Sequence, residues 1–170
     1  MPVYRKISAY IATASALLVP AIANAAEVTD TFSVEITIVD TCTVTAGGPA
    51  NIDFGEVETT ETDLLEQGVI TVNCSLTTPY TIGLTPSNAD TTGAGEMEST
   101  DAAITDVVPY QLYSDAGTTA WGSAALGDPQ NGLAGTGTGL DETYDVYAGV
   151  ASTNYTPGSY IDTVTVTVFY

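Results

Sequence analysis

Residues 163–170 read Thr163-Val164-Thr165-Val166-Thr167-Val168-Phe169-Tyr170, threonine and valine alternating without a break until two aromatic residues follow. Successive side chains of a strand point to opposite faces, so this period of two predicts a β-strand with an apolar Val164/Val166/Val168 face and a hydroxyl face. A second stretch of the same kind stands near the other end. There Val28, Asp30, Phe32, Val34, Ile36 and Ile38 alternate with Thr29, Thr31, Ser33, Glu35, Thr37 and Val39. Edge strands tend to lie at chain ends, and neither stretch carries a lysine or proline that would block pairing with a foreign strand. Both are suited to pair with another chain.

The residues between them are also of strand type. Thr, Val, Ile and Tyr dominate, Gly and Pro punctuate, and no stretch holds a 3.6-residue apolar period over three turns. The predicted strands fall around Val28–Ile38, Cys42–Thr45, Ile52–Phe54, Val69–Cys74, Tyr80–Thr85, Val107–Tyr113, Tyr144–Val150 and Tyr160–Tyr170. Ala46–Pro49, Pro86–Gly95, Gly127–Gly132 and Gly135–Gly139 read as loops, and the acidic Glu56–Glu66 as a loop or one short helical turn. Short strands separated by turn signals in a chain of this size predict an all-β sandwich. Gly135-Thr136-Gly137-Thr138-Gly139 lacks the spacing of a nucleotide loop, and no helix pattern follows it.

Charge narrows the function. The 170 residues hold 21 Asp+Glu against 2 Lys+Arg and no His, a net charge of −19, and the two bases are Arg5 and Lys6. A nucleic-acid binder needs cationic side chains to displace phosphate counterions, and none follows Lys6. Acid–base chemistry by His or Lys and zinc sites with His ligands are excluded on the same ground. Arg5-Lys6, the apolar run Ile7–Ile22 and Ala23-Asn24-Ala25 have the three parts of a secretory signal peptide. Residues 1–25 are therefore expected to be removed after Ala25, the run being shorter than the roughly 20 residues of a bilayer span. The mature chain would keep all 21 acids and no base, a formal −21, with no membrane span. In an exported protein Cys42 and Cys74, the two cysteines, suggest one disulfide, two free buried thiols being the alternative. Closing that loop is worth about 3.7 kcal/mol in the chain-entropy picture.

A resemblance emerges from several motifs together. Val108-Pro109-Tyr110-Gln111-Leu112-Tyr113-Ser114-Asp115, Trp121-Gly122, Tyr147-Ala148-Gly149-Val150 and the run from Pro157 to Val166 resemble the spore coat protein U domain. That domain is also the subunit module of archaic chaperone–usher pili. Cys42-Thr43-Val44 and Phe54-Gly55 extend the likeness over nearly all of residues 26–170. One departure is that Ala148-Gly149 stands where the family often has Gly-Arg. The resemblance implies an incomplete immunoglobulin-like β-sandwich with an N-terminal donor strand: residues 26–40 as the donor-strand extension and 41–170 as the domain. A periplasmic pilus chaperone would first lend a strand to the domain's groove, and an outer-membrane usher would exchange it for the N-terminal strand of a neighbouring copy or homologous subunit. Phe32, Val34, Ile36 and Ile38 would be the inserted side chains. Val164, Val166, Val168, Phe169 and Tyr170 would form the edge that borders the groove and pairs with the chaperone. The expected product is an extracellular fibre on the cell surface, supporting adhesion or biofilm formation.

Other readings are weaker. The carboxylate groups Glu56/Glu58, Glu96/Glu98 and Asp141/Glu142/Asp145 offer the raw material of a glycosidase, but they read as solvated loop residues, and no catalytic residue, metal or cofactor is expected. The alternatives that remain are a self-closed secreted coat or matrix protein, and a weak calcium-dependent binding module lacking the D-x-D-x-D-G loop.

Overall fold

The computed structural model describes residues 26–46, 51–124 and 131–170; the expected leader and most of the Gly127–Gly132 loop lie outside the described residues. Nine strands are found among them: β1 (Cys42–Thr45), β2 (Thr62–Cys74), β3 (Pro79–Thr85), β4 (Ala94–Ser99), β5 (Val107–Tyr113), β6 (Leu133–Thr136), β7 (Glu142–Ser152), β8 (Tyr160–Ile161) and β9 (Thr165–Phe169). They form two sheets, of strand order β1-β2-β7-β5-β4-β8 and β6-β3-β9, every pairing antiparallel. No helix occurs among the described residues, so the expected all-β sandwich is what the chain adopts.

Alternation places the core. Ile70, Val72 and Cys74 of β2, Val108, Tyr110 and Leu112 of β5, and Val146, Ala148 and Val150 of β7 are all buried, two residues apart on one face. From the smaller sheet, Tyr80, Ile82 and Leu84 of β3 join the same cluster. Trp121, 1% exposed, joins the sheets. Its backbone N–H donates to Leu112 O of β5 at 2.9 Å, and its indole N–H donates to Ile82 O of β3 at 3.0 Å. The next residue continues the link, Gly122 O accepting from Leu84 N at 2.8 Å.

Several sequence-based boundaries are corrected. Ile52–Phe54 pairs with no strand, and its apolar side chains serve another purpose described below. Val28–Ile38 enters no ladder among the described residues and carries no regular secondary structure. The Glu56–Glu66 stretch ends inside β2, which begins at Thr62. β4 and β6 are not among the predicted strands, and Ala94–Gly95 and Gly135–Thr136 fall in expected loops; Glu96 and Glu98, read as loop residues, stand on β4 and are exposed, as Asp145 is on β7. The expected Tyr160–Tyr170 strand is two strands: β8 pairs with β4 in the larger sheet and β9 with β3 in the smaller. The chain changes sheets at Asp162–Val164 because Asp162 turns its carboxylate inward to Tyr110 and accepts the N–H of Thr163.

Candidate functional site

β9 pairs with β3 along one edge and has no partner along the other among the described residues. A groove of about 740 Å³ runs beside it. Val164 and Val166 line it, with Ile52, Phe54, Leu84 and Leu112. The period-two pattern of 163–170 explains the lining, since Val164, Val166 and Val168 all turn toward the core while Thr165 is exposed. Phe169 closes β9 opposite Thr81, and Tyr170 is about half exposed. Thus of the residues expected at this edge, Val164 and Val166 form the groove wall, Val168 packs beside them, and the two aromatic residues mark the end of the strand. Sequence reasoning missed Ile52 and Phe54 as groove residues. Their apolar side chains were visible, but a strand accounts for apolar alternation equally well.

The groove wall is largely apolar, with two carboxylates, Asp53 and Asp162, and a few polar side chains among its lining. Asp162 continues the inward face of Val164 and Val166 by two residues, and its Oδ2 accepts the Tyr110 hydroxyl at 2.6 Å. Burial, the hydrogen bond to this carboxylate and its negative charge push the Tyr110 hydroxyl well above the ordinary tyrosine range. Tyr80 repeats the arrangement on β3: its hydroxyl meets those of Tyr144 and the carboxylate of Glu142, and burial first of all raises it likewise. No group of three or more metal-ligating side chains is found among the described residues. Asp141 and Glu142 instead accept hydrogen bonds from Asn73 and Tyr80.

The N-terminal stretch is built differently. Phe32, Val34, Ile36 and Ile38 are 84–88% exposed. Four large apolar side chains at every second position, open to water, make a surface that gains by burial. Its root is held firmly. Cys42 and Cys74 form a disulfide across the β1–β2 register, tying the first residue of β1 to the last of β2. Just before it, Ser75 Oγ and N bond the backbone of Thr41, and Thr78 Oγ1 donates to Asp40 Oδ1 at 3.0 Å. A pull on residues 26–39 is therefore delivered to β2, which lies inside β1 in the larger sheet and pairs with β7, rather than to β1 alone.

The family model described as Spore Coat Protein U domain matches residues 28–167. Among solved structures, the chain is similar to one chain of the crystal structure of the CsuC-CsuE chaperone-tip adhesion subunit pre-assembly complex from archaic chaperone-usher Csu pili of Acinetobacter baumannii. The identity is 20% and the TM-score 0.53, with 79% of this chain and 41% of that chain covered. At this identity the likeness is one of fold, and the chain spans about two-fifths of the length of its solved counterpart. No curated protein matches the chain. No helix among the described residues is long and apolar enough to cross a membrane.

Proposed function

Because the chain belongs to the Spore Coat Protein U domain family, we propose that it is a structural subunit of an archaic chaperone–usher pilus, joined to its neighbours by donor-strand exchange and supporting adhesion or biofilm formation. The reading is supported most by two features that one chain carries and that fit the two halves of a strand joint. Phe32, Val34, Ile36 and Ile38 are exposed at alternate positions of the N-terminal stretch, and β9 has an edge unpaired among the described residues beside a largely apolar groove. Burying four such side chains contributes roughly 6–12 kcal/mol gross, at about 1.5–3 each. Ladder hydrogen bonds add to this, and ordering the strand subtracts. A joint of that size persists without a covalent bond between subunits.

The route follows from the same groove. A periplasmic chaperone covers it with a strand of its own during export, and an outer-membrane usher replaces that strand with residues 26–40 of the next subunit. The fibre then stands on the cell surface. The protein works by this assembly and not by catalysis. The disulfide and the Asp40–Thr78 bond make the root of the strand a firm attachment on the donor side.

Fibres produced with the chaperone and usher and run unheated on a denaturing gel test the proposal. A ladder of non-covalent multimers that collapses to one band on boiling is expected. Deleting residues 26–38 should abolish the ladder while the shortened subunit is still recovered bound to chaperone. A single monomer band from the parent protein, or a ladder from the shortened one, would refute the assignment.

A further inference from the structure

Resting on the strand-exchange reading, we infer that the loops Ser75–Thr78 and Gly137–Leu140 form a second contact surface, which docks on the rim of the groove in the copy of this chain that receives the strand. The two loops are one unit. Thr77 N donates to Gly137 O at 2.7 Å, Gly137 N to Thr78 O at 2.8 Å, and Gly139 N to Cys74 O at 3.0 Å. A Cβ at Gly137 would lie 2.2 Å from Ser75 O, so the loops pack as closely as glycine permits.

Three observations say what covers this surface. The first is its apolar exposure: Leu76 is 70% exposed and Leu140 71%, and Val39 beside them is 71% exposed. The second is its charge. Ser75-Leu76-Thr77-Thr78 and Gly137-Thr138-Gly139-Leu140 contain no acid, in a chain with 21 of them, and the acids that flank them are engaged, Asp40 accepting from Thr78 and Asp141 from Asn73, so this face brings little charge to another acidic subunit. The third is the length of the tether. Asp40 and Thr41 are bonded to Thr78 and Ser75, so only Val39 is free between the domain and Ile38, the last side chain to be inserted. Two Cα steps span at most about 7–8 Å. When Ile38 enters a neighbour's groove, the loops that hold Asp40 and Thr41 must come against the groove's rim.

Charge also selects which end of the groove they meet. Asp30 shares the inward face of the donor strand with Phe32, and Asp162 shares the inward face of Val164 and Val166. A strand parallel to β9 brings these carboxylates together, with no cation in residues 26–170 to relieve them. An antiparallel strand separates them and brings Ile38 to the Val164 end. There the rim presents Ile161, 64% exposed, beside Ser159 and Thr100. Leu76 and Leu140 of one subunit therefore cover Ile161 of the next.

Full-length fibres carrying a photo-crosslinking residue at position 76 or 140 test this. Irradiation should give crosslinked neighbours whose joined peptide contains residues 159–163. The double variant Leu76→Ser/Leu140→Ser should keep the unheated ladder yet shed subunits in urea roughly tenfold faster, as expected for two leucines losing part of their burial. A ladder without crosslinks at either position, crosslinks to the Phe169 end, or unchanged shedding would overturn the second contact while leaving strand exchange intact. No ladder from the parent protein would overturn both.

Discussion

Tyr110 and Asp162 join the core of the larger sheet to the crossing point between β8 and β9, at a bond length of 2.6 Å. A hydrogen bond to a charged acceptor contributes about 1.5–3 kcal/mol, so Tyr110→Phe should lower the stability of the domain by that order at neutral pH. The pH dependence has a definite sign. The folded hydroxyl is raised above its unfolded value of about 10, by burial first and then by Asp162. Its contribution is therefore full below pH 10 and is lost as the pH rises through the folded value. Urea unfolding at pH 7 and above pH 10 should show a fall in the midpoint that is smaller in Tyr110→Phe than in the parent. Tyr80, raised in the same way, supplies the remainder. An equal fall in both proteins would remove Tyr110 from the account.

At the scale of the element, two glycines explain what was hidden in the sequence. Gly95 of β4 lies opposite Tyr110 and Gly135 of β6 opposite Tyr80, and in each pair the tyrosine ring occupies the space a Cβ would take. Glycine and glutamate are poor strand formers alone, so neither Ala94–Ser99 nor Leu133–Thr136 reads as a strand; the ring that covers each glycine comes from a residue distant in sequence. The Thr–Val alternation of β9 was legible because each side chain states its own face, and so were the buried alternations of β2, β5 and β7 where they meet the core. The groove edge followed from the same pattern, whereas Ile52, Phe54 and the inward turn of Asp162 depend on the two sheets being brought together. Gly95→Ala places its Cβ 2.0 Å from the Tyr110 ring, whose hydroxyl is held by Asp162. The cost should be about 1–3 kcal/mol, as for overpacking a filled site. Much of it should vanish in a Tyr110→Leu background. Additive costs in a double-mutant cycle measured by urea unfolding would contradict the pairing.

For the whole molecule the unrelieved charge becomes a condition on assembly. Residues 26–170 carry no base, so no salt bridge between side chains can offset repulsion within a subunit or across a joint. The proposed joint seats Asp30 and Glu35 of the strand in a groove that holds Asp53 and Asp162; with Asp30 at the end away from Asp162, the repulsion acts along the groove rather than between touching carboxylates. Two unit charges 10 Å apart in water repel by about 0.4 kcal/mol unscreened, and several such pairs amount to roughly 1 kcal/mol or more. Charges are screened beyond about 8 Å at 0.15 M salt but interact out to about 30 Å at 0.01 M. Fibres in urea, an uncharged denaturant, should therefore shed subunits several-fold faster at 0.01 M than at 0.15 M salt, a factor of the order set by that repulsion. The double variant Asp30→Asn/Glu35→Gln should shed more slowly at low salt and show less dependence on it, because residues 26–40 then carry two acids, Glu27 and Asp40, instead of four. Shedding that is independent of salt in the parent fibre would mean that the acids of the joint are held too far apart to interact. The same charge keeps apart chains whose β9 edge and N-terminal strand are both open, until a strand of matching apolar face overcomes it.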